Sequence, residues 1–217
     1  HYPLRRQRQM CIRDSSDTYK TIDSEAKGLF KAKGSRFIAH AIPVSSQEEI
    51  KKRLEELRKE YHDARHHCYA WVLSPDRQTW RVNDDGEPSG TAGKPILGQI
   101  NSRELTNIMV VVIRYFGGTL LGVSGLINAY RAAAADALDN ATVSERHLTE
   151  CWIITFPYEA MNDVMKVLKD ESCGQSAHRY TGQEVSLEVS FRASLSRQIT
   201  ERLKMIAGLR AEWIRTT

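Results

Sequence analysis

Cysteine is scarce. The chain of 217 residues holds four, Cys11, Cys68, Cys151 and Cys173, and no two form a CxxC pair. That pattern excludes a disulfide scaffold and points to reduced thiols in a cytoplasmic protein. Long apolar runs are missing as well: the longest, Ile108–Ile113, has six residues, where a membrane-crossing helix needs about 20. No charged-then-apolar leader opens the sequence, so the expectation is a protein that is not secreted and has no membrane partner. Proline and glycine number only 6 and 13, and hydrophobic residues make up 41%, which excludes a collagen-like or disordered chain. The GxSxG elbow, the HExxH zinc helix and the kinase signatures are all absent.

Charge of one sign is also in short supply. Lys plus Arg is 31 against 27 for Asp plus Glu, a net charge of +4. The first 15 residues supply +3 of it, through Arg5, Arg6, Arg8 and Arg13 against Asp14. The segment 1–16 has no apolar period and no helix cap, and is expected to be a disordered tail or a non-native extension. The remainder is close to neutral, so any anion site must be a local patch.

What is present becomes regular from residue 35. Ser35–Ile42 alternates and stops at Pro43, as a strand does. Ser45 and Ser46 precede Glu48 and Glu49 in a capping-box pattern, and Ile50, Leu54, Leu57 and Tyr61 follow at helical spacing. Strands are expected over Cys68–Leu73 and Thr79–Val82, and a loop over Asn83–Pro95, which holds three glycines and two prolines. A short helix over Ile96–Ser102, a buried β-branched strand over Asn107–Tyr115 and an alanine-rich helix from Leu120 to about Asn140 complete this half. Beyond Val143 the pattern reads strand 148–156, helix 158–169, strands 174–180 and 185–193, helix 197–206 and strand 209–214. That β-α-β-β-α-β order belongs to the ferredoxin-like split unit. The expected fold class is α+β, in two domains over 17–143 and 144–217.

Three stretches suggest chemistry. In Asp63–Trp71 (DARHHCYAW) the adjacent His66 and His67 point to opposite faces of a strand, one toward a cleft and one packed. His66, Cys68, Asp84 and Glu87 fit no standard zinc spacing, and no metal or cofactor is expected. In the loop from Asp84 to Pro95, Gly86, Gly90 and Gly93 permit close approach of backbone to a ligand. Thr91 can cap the following helix. Asp84, Asp85 and Glu87 can bind a cation, act as an acid–base pair, or cap the loop's own amides. Lys94 lacks the GK[ST] arrangement of a Walker A loop. The third stretch, Arg114–Gly122 (RYFGGTLLG), ends a strand in Arg114, Tyr115 and Phe116, with Gly117, Gly118 and Thr119 before a helix. Free N–H groups at a helix start beside an arginine suit an anion, and the two aromatics suit base stacking. Purely structural readings stand beside these: packed His and Cys, a capped turn, and Arg114 paired with one of the three acids. If all three stretches serve one site, a histidine, an acid and Arg114 should lie within about 10 Å around a concave surface.

The run GKPILGQINSRELTNIMVVVIRYFGGTLLG over 93–122 resembles the YigZ/IMPACT family, as do KGSRFIAH at 33–40, DARHHCYAW at 63–71 and DDGEPSGTAGKP at 84–95. The resemblance covers about residues 20–217, with His62-Asp63 departing from the family's usual His-Pro. It implies a first domain with the fold of ribosomal protein S5 domain 2, and a second like the last, ferredoxin-like domain of elongation factor G. It also implies a tie to translation: eukaryotic relatives regulate it with the help of an additional partner-binding domain, while bacterial relatives have no firmly assigned activity. The expectation is therefore a cytoplasmic, translation-associated regulator that contacts RNA, the ribosome or a protein partner. Its anion-binding cleft would be formed by His66, His67, Gly90, Thr91, Arg114, Tyr115, Gly117, Gly118 and Thr119. The alternative is an enzyme acting on a phosphorylated or acyl small molecule, with His66, Asp84, Asp85 and Glu87 as acid–base residues and Arg114 as anion clamp. A deep pocket of titratable groups favours the enzyme, and a shallow basic face favours RNA.

Overall fold

The structure is a computed structural model that describes residues 17–182 and 184–217. The expected tail over 1–16, with Cys11, lies outside the described residues. The elements run β1 (Thr18–Ile22), β2 (Ala26–Ala32), β3 (Ser35–Pro43), α1 (Gln47–Glu60), β4 (His66–Leu73), β5 (Thr79–Asn83), α2 (Gly93–Ser102), β6 (Ile108–Tyr115), α3 (Gly122–Asp139) and β7 (Val143–His147). They continue with β8 (Thr149–Pro157), α4 (Met161–Asp170), β9 (Gly174–Thr181), β10 (Glu184–Arg192), α5 (Ser196–Lys204) and β11 (Arg210–Thr216). Two compact units result, one of residues 18–146 and one of residue 17 with 147–217.

The first unit is built on a five-stranded sheet in the order β2-β3-β6-β4-β5, with β1 and β7 paired separately. Its centre is β6, whose run of β-branched residues carries no charge before Arg114 and is buried on both faces. β6 pairs antiparallel with β3 and with β4. Alternation then sorts the side chains. Ile108, Val110 and Val112 join Cys68, Ala70 and Val72 in a core with α2 and α3. Met109, Val111 and Ile113 join Tyr69, Trp71 and Leu73 in a core with Ile50 and Leu57 of α1. Helix α1 starts where its capping box places it: Glu49 N–H donates to Ser46 Oγ at 3.2 Å, and Glu49 Oε2 accepts from Ser45 N–H at 2.8 Å.

Strands β1, β2 and β7 are additions to the sequence reading. β2 is held by packing rather than propensity. A Cβ on Gly28 would come within 2.3 Å of the Ala137 backbone nitrogen, so glycine lets β2 and the alanine face of α3 close on each other. Several boundaries also move: β4 starts at His66 rather than Cys68, α4 at Met161 rather than Tyr158, and α5 ends at Lys204 rather than Ile206. Helix α2 starts at Gly93 rather than Ile96, and α3 at Gly122 rather than Leu120.

The second unit runs β8-α4-β9-β10-α5-β11, with a four-stranded sheet in the order β11-β8-β10-β9. All its pairings are antiparallel. Ile154, Phe156, Leu187 and Val189 pack against Val164, Leu168, Ile199 and Leu203 of the two helices. Asp17 belongs to this unit, where it accepts hydrogen bonds from Arg192 Nε at 2.6 Å and Nη2 at 2.7 Å. The Arg192 guanidinium holds the Asp17 carboxyl well below the usual carboxylate range. Among the described residues, no helix is long and apolar enough to cross a membrane.

Candidate functional site

The register of β4 and β6 sets His66 opposite Arg114, at the end of the sheet on its α3 face. The loop after β5 folds back over both. Glu87 N–H donates to Asp84 O at 2.9 Å, with Asp85 at φ 42° and Gly86 at φ 87°. This is the Asp-Gly turn that tolerates two left-handed residues. It delivers Glu87 into the core, where Oε1 accepts from Arg114 Nη1 at 2.5 Å and from Tyr130 OH at 2.9 Å. His66 Nε2 lies 3.9 Å from the same oxygen. The Arg114 guanidinium also sits over the rings of Phe37 and Phe116, at 5.5 and 5.6 Å from their centroids.

Asp84 serves the loop itself. Its Oδ1 accepts from Ala92 N–H at 3.0 Å and Gly93 N–H at 2.8 Å, and its Oδ2 from Gly90 N–H at 2.8 Å. Burial pushes its carboxyl upward, but the three amides and Lys94 outweigh that and hold it below the usual range. This corrects the expectation for Thr91. Its Oγ1 donates to Pro88 O at 2.7 Å, and Asp84 caps α2 from nine residues upstream, which is why α2 starts early. Gly90, at φ +76°, lies on the same turn of backbone.

Asp85 is bound on both oxygens, by His67 N–H at 2.7 Å and by Arg58 Nη2 at 3.3 Å. Its carbonyl accepts from His66 Nδ1 at 2.8 Å. A carbonyl only accepts, so Nδ1 carries the His66 proton and Nε2 faces Glu87. His67 turns to the α1 face, where burial lowers its pKa, and its Nε2 has no hydrogen-bond partner among the described residues. Cys68 Sγ donates to Asp84 O at 3.0 Å and lies 3.3 Å from Tyr130 OH. Burial pushes its thiol far up, so it is not a reactive thiolate. Among the described residues, no group of three His, Cys, Asp or Glu is placed to hold a metal.

His66, Asp84, Asp85, Glu87 and Arg114 thus form one network. The neighbours of Arg114 do not join it. Tyr115 is the next residue on the strand and faces the other way: its hydroxyl donates to Asp63 Oδ1 at 2.7 Å, and the Arg36 guanidinium lies 4.7 Å from its ring centroid. Gly117 and Gly118 precede α3 by several residues, so with exposed Thr119 they stand outside its first turn. Gly117 has a steric reason of its own, because a Cβ there would lie 1.9 Å from the Gly34 carbonyl carbon. Tyr130 and Phe37 escaped the sequence reading. An aromatic inside an alanine-rich helix face was the available signal for Tyr130. Beside the network a hollow of about 190 Å³ is lined by Arg65, His66, Arg114, Phe116 and Leu120.

A five-stranded sheet held between α1 and the α2–α3 pair, with a buried Arg–Glu–Tyr cluster at one end and a β-α-β-β-α-β unit following, defines a protein of mixed α and β structure. Residues 33–138 match the model of the Impact N-terminal domain. The chain is 34% identical over 153 residues to "IMPACT family member YvyE" of Bacillus subtilis (strain 168), a match covering 70% of each chain. It is 44% identical over 116 residues to "IMPACT family member YigZ" of Escherichia coli (strain K12), covering 52% of this chain and 57% of that one. A crystal structure of a hypothetical protein superposes with a TM-score of 0.71 at 31% identity, covering 91% of this chain and 98% of that one. The chain belongs to the IMPACT family.

Proposed function

We propose that this protein is a translation-associated regulator that works by binding RNA, with a first unit like ribosomal protein S5 domain 2 and a ferredoxin-like second unit. The strand order β11-β8-β10-β9 supports the second assignment. The translational setting rests on the family resemblance, which is an argument by analogy.

One observation carries the RNA reading: exposed positive charge gathers in one stretch of a chain that is nearly neutral beyond residue 15. Residues 27–36 hold Lys27, Lys31, Lys33 and Arg36 and no acid. All four are exposed, and among the described residues none of the three lysines is ion-paired. Phosphate backbones select such a patch. The acid–base candidates of the enzyme reading are, by contrast, engaged. Asp84 holds three amides, Asp85 is bound on both oxygens, and Glu87 is shared by Arg114 and Tyr130. The hollow beside them, at about 190 Å³, falls below the roughly 300–1,000 Å³ of small-molecule sites.

Co-sedimentation of the full chain with purified ribosomal subunits tests this. Association at about 50 mM salt that is lost toward about 200 mM is expected, because phosphate contacts release counterions. A chain that stays at the top of the gradient at the lower salt, and retains no RNA on purification, would overturn the proposal.

A further inference from the structure

The sheet face that carries α1 is covered unevenly. Helix α1 packs on β4 and β6, while β2 and the outer part of β3 stay open. The register sets Lys27, Leu29 and Lys31 opposite His40, Ile38 and Arg36, and sets Arg36 opposite Tyr115. Directly opposed residues share a face, so the cations of β2 and β3 stand on this open side. At one end the strip is closed by His40, buried beneath Glu25 and Tyr61. At the other end the turn residues Lys33 (φ 46°) and Gly34 (φ 80°) carry a further lysine. Alternate residues on a strand stand about 6.6 Å apart, so the lysines form a spaced row rather than a cluster.

The middle of the strip is apolar and planar. Leu29 is 49% exposed beside Ile38. The guanidinium carbon of exposed Arg36 lies 4.7 Å from the centroid of the Tyr115 ring, and Asp63 holds the Tyr115 hydroxyl at 2.7 Å. Two hollows meet at Arg36, one of about 530 Å³ reaching Lys31, Lys33 and Tyr115, and one of about 380 Å³ reaching Lys27, Leu29 and Ile38 and bordered by Asn140 and by Asp136, whose carboxylate accepts from Leu29 N–H at 2.8 Å.

We propose that this strip is the docking track for single-stranded RNA. Phosphates lie along Lys27, Lys31 and Lys33, and a base stacks on the Arg36–Tyr115 ledge against Leu29 and Ile38. The inference rests on the RNA-binding reading above and adds the place and the strandedness. A row of lysines alone would serve any polyanion. A guanidinium on an aromatic ring with an aliphatic flank beside it suits a ligand with exposed flat faces, which a single strand offers and a duplex hides. The carboxylates of an acidic peptide can pair with the edge of the Arg36 guanidinium but leave the apolar flank of Leu29 and Ile38 unused.

The test is fluorescence anisotropy of the full chain with a labelled RNA strand of about 12 nucleotides, within the usual site size, across a salt series. Lys27→Ala with Lys31→Ala is expected to flatten the log–log salt slope by about 1.4, at about 0.7 per phosphate on single strands. Arg36→Lys keeps the charge and loses the plane. It is expected to weaken binding about 5-fold or more, given the strength of base stacking, with the slope kept. All three positions are exposed, so the fold tolerates the changes. Unchanged affinity and slope in the double variant would overturn this track and leave RNA binding standing elsewhere on the chain. Failure of the unaltered chain to bind any RNA would overturn both readings. Equal affinity for an RNA duplex, equal displacement by polyglutamate, or tighter binding of the matching DNA strand would each overturn the assignment to single-stranded RNA.

Discussion

Arg114 and Glu87 face each other with side chains only 7% and 4% exposed, and removal of either leaves the other charged in a dry place. Glu87→Ala is therefore expected to cost about 3–5 kcal/mol, while the paired change Glu87→Leu with Arg114→Met costs much less. Urea denaturation decides this, and equal losses in the two would contradict a desolvated pair. His67 gives a pH signature. Burial lowers its pKa below 6.5 in the fold, so on acidification the unfolded chain takes up the proton first. That part of the stability is complete above about pH 6.5 and is lost as pH falls toward the folded pKa. His67→Gln should flatten the stability profile on the acid side of about pH 6.5, and an unchanged profile would contradict the assignment. At this scale the sequence was informative about Arg114 and its acid partner, because a charge at the end of a buried β-branched run demands one. It marked Tyr130 only as an aromatic inside an alanine-rich helix face, and three-dimensional closure alone brings its hydroxyl to Glu87.

Among the elements, α1, β4 and β6 were legible because each carries its own period and its own start or stop. The start of α2 was not. Its cap comes from Asp84, nine residues before Gly93 and across a turn. Asp84→Ala frees three backbone donors and is expected to destabilise the chain by about 2–3 kcal/mol, measured by chemical denaturation. Exposed Asp76, whose Oδ1 accepts from the single amide of Gln78 at 3.1 Å, is the reference, and a loss no larger than that of Asp76→Ala would contradict the capping role. β2 was missed because Gly28, Lys27 and Lys31 are poor strand formers, although Lys27, Leu29, Lys31 and Lys33 alternate as a one-sided strand does. Its place depends on α3: Gly28→Ala forces a Cβ against the Ala137 backbone and is expected to cost about 1–3 kcal/mol, read from the melting temperature. An unchanged melting temperature would mean that β2 and α3 do not close on each other.

In the whole molecule, the cores on the two sheet faces of the first unit share no residue with the core of the second. Leu187→Ala, which opens a cavity in the second, is expected to lower one calorimetric transition by an amount equivalent to about 2–5 kcal/mol and to leave the other in place. Lowering both together would contradict separate cores. Function was the least legible property at this scale. Net charge concealed the basic strip, since a total of only +4 does not show that cations gather on one open sheet face. The Arg114 network, which the sequence made prominent, proved to be mostly occupied with itself. The most direct measurement is ultraviolet cross-linking of the full chain to RNA in a cell extract, with the cross-linked peptides identified by mass spectrometry. Cross-links on the peptides that carry residues 27–38 are the expected result. Cross-links confined to 147–217, or none at all, would contradict RNA binding through the open face of the first unit.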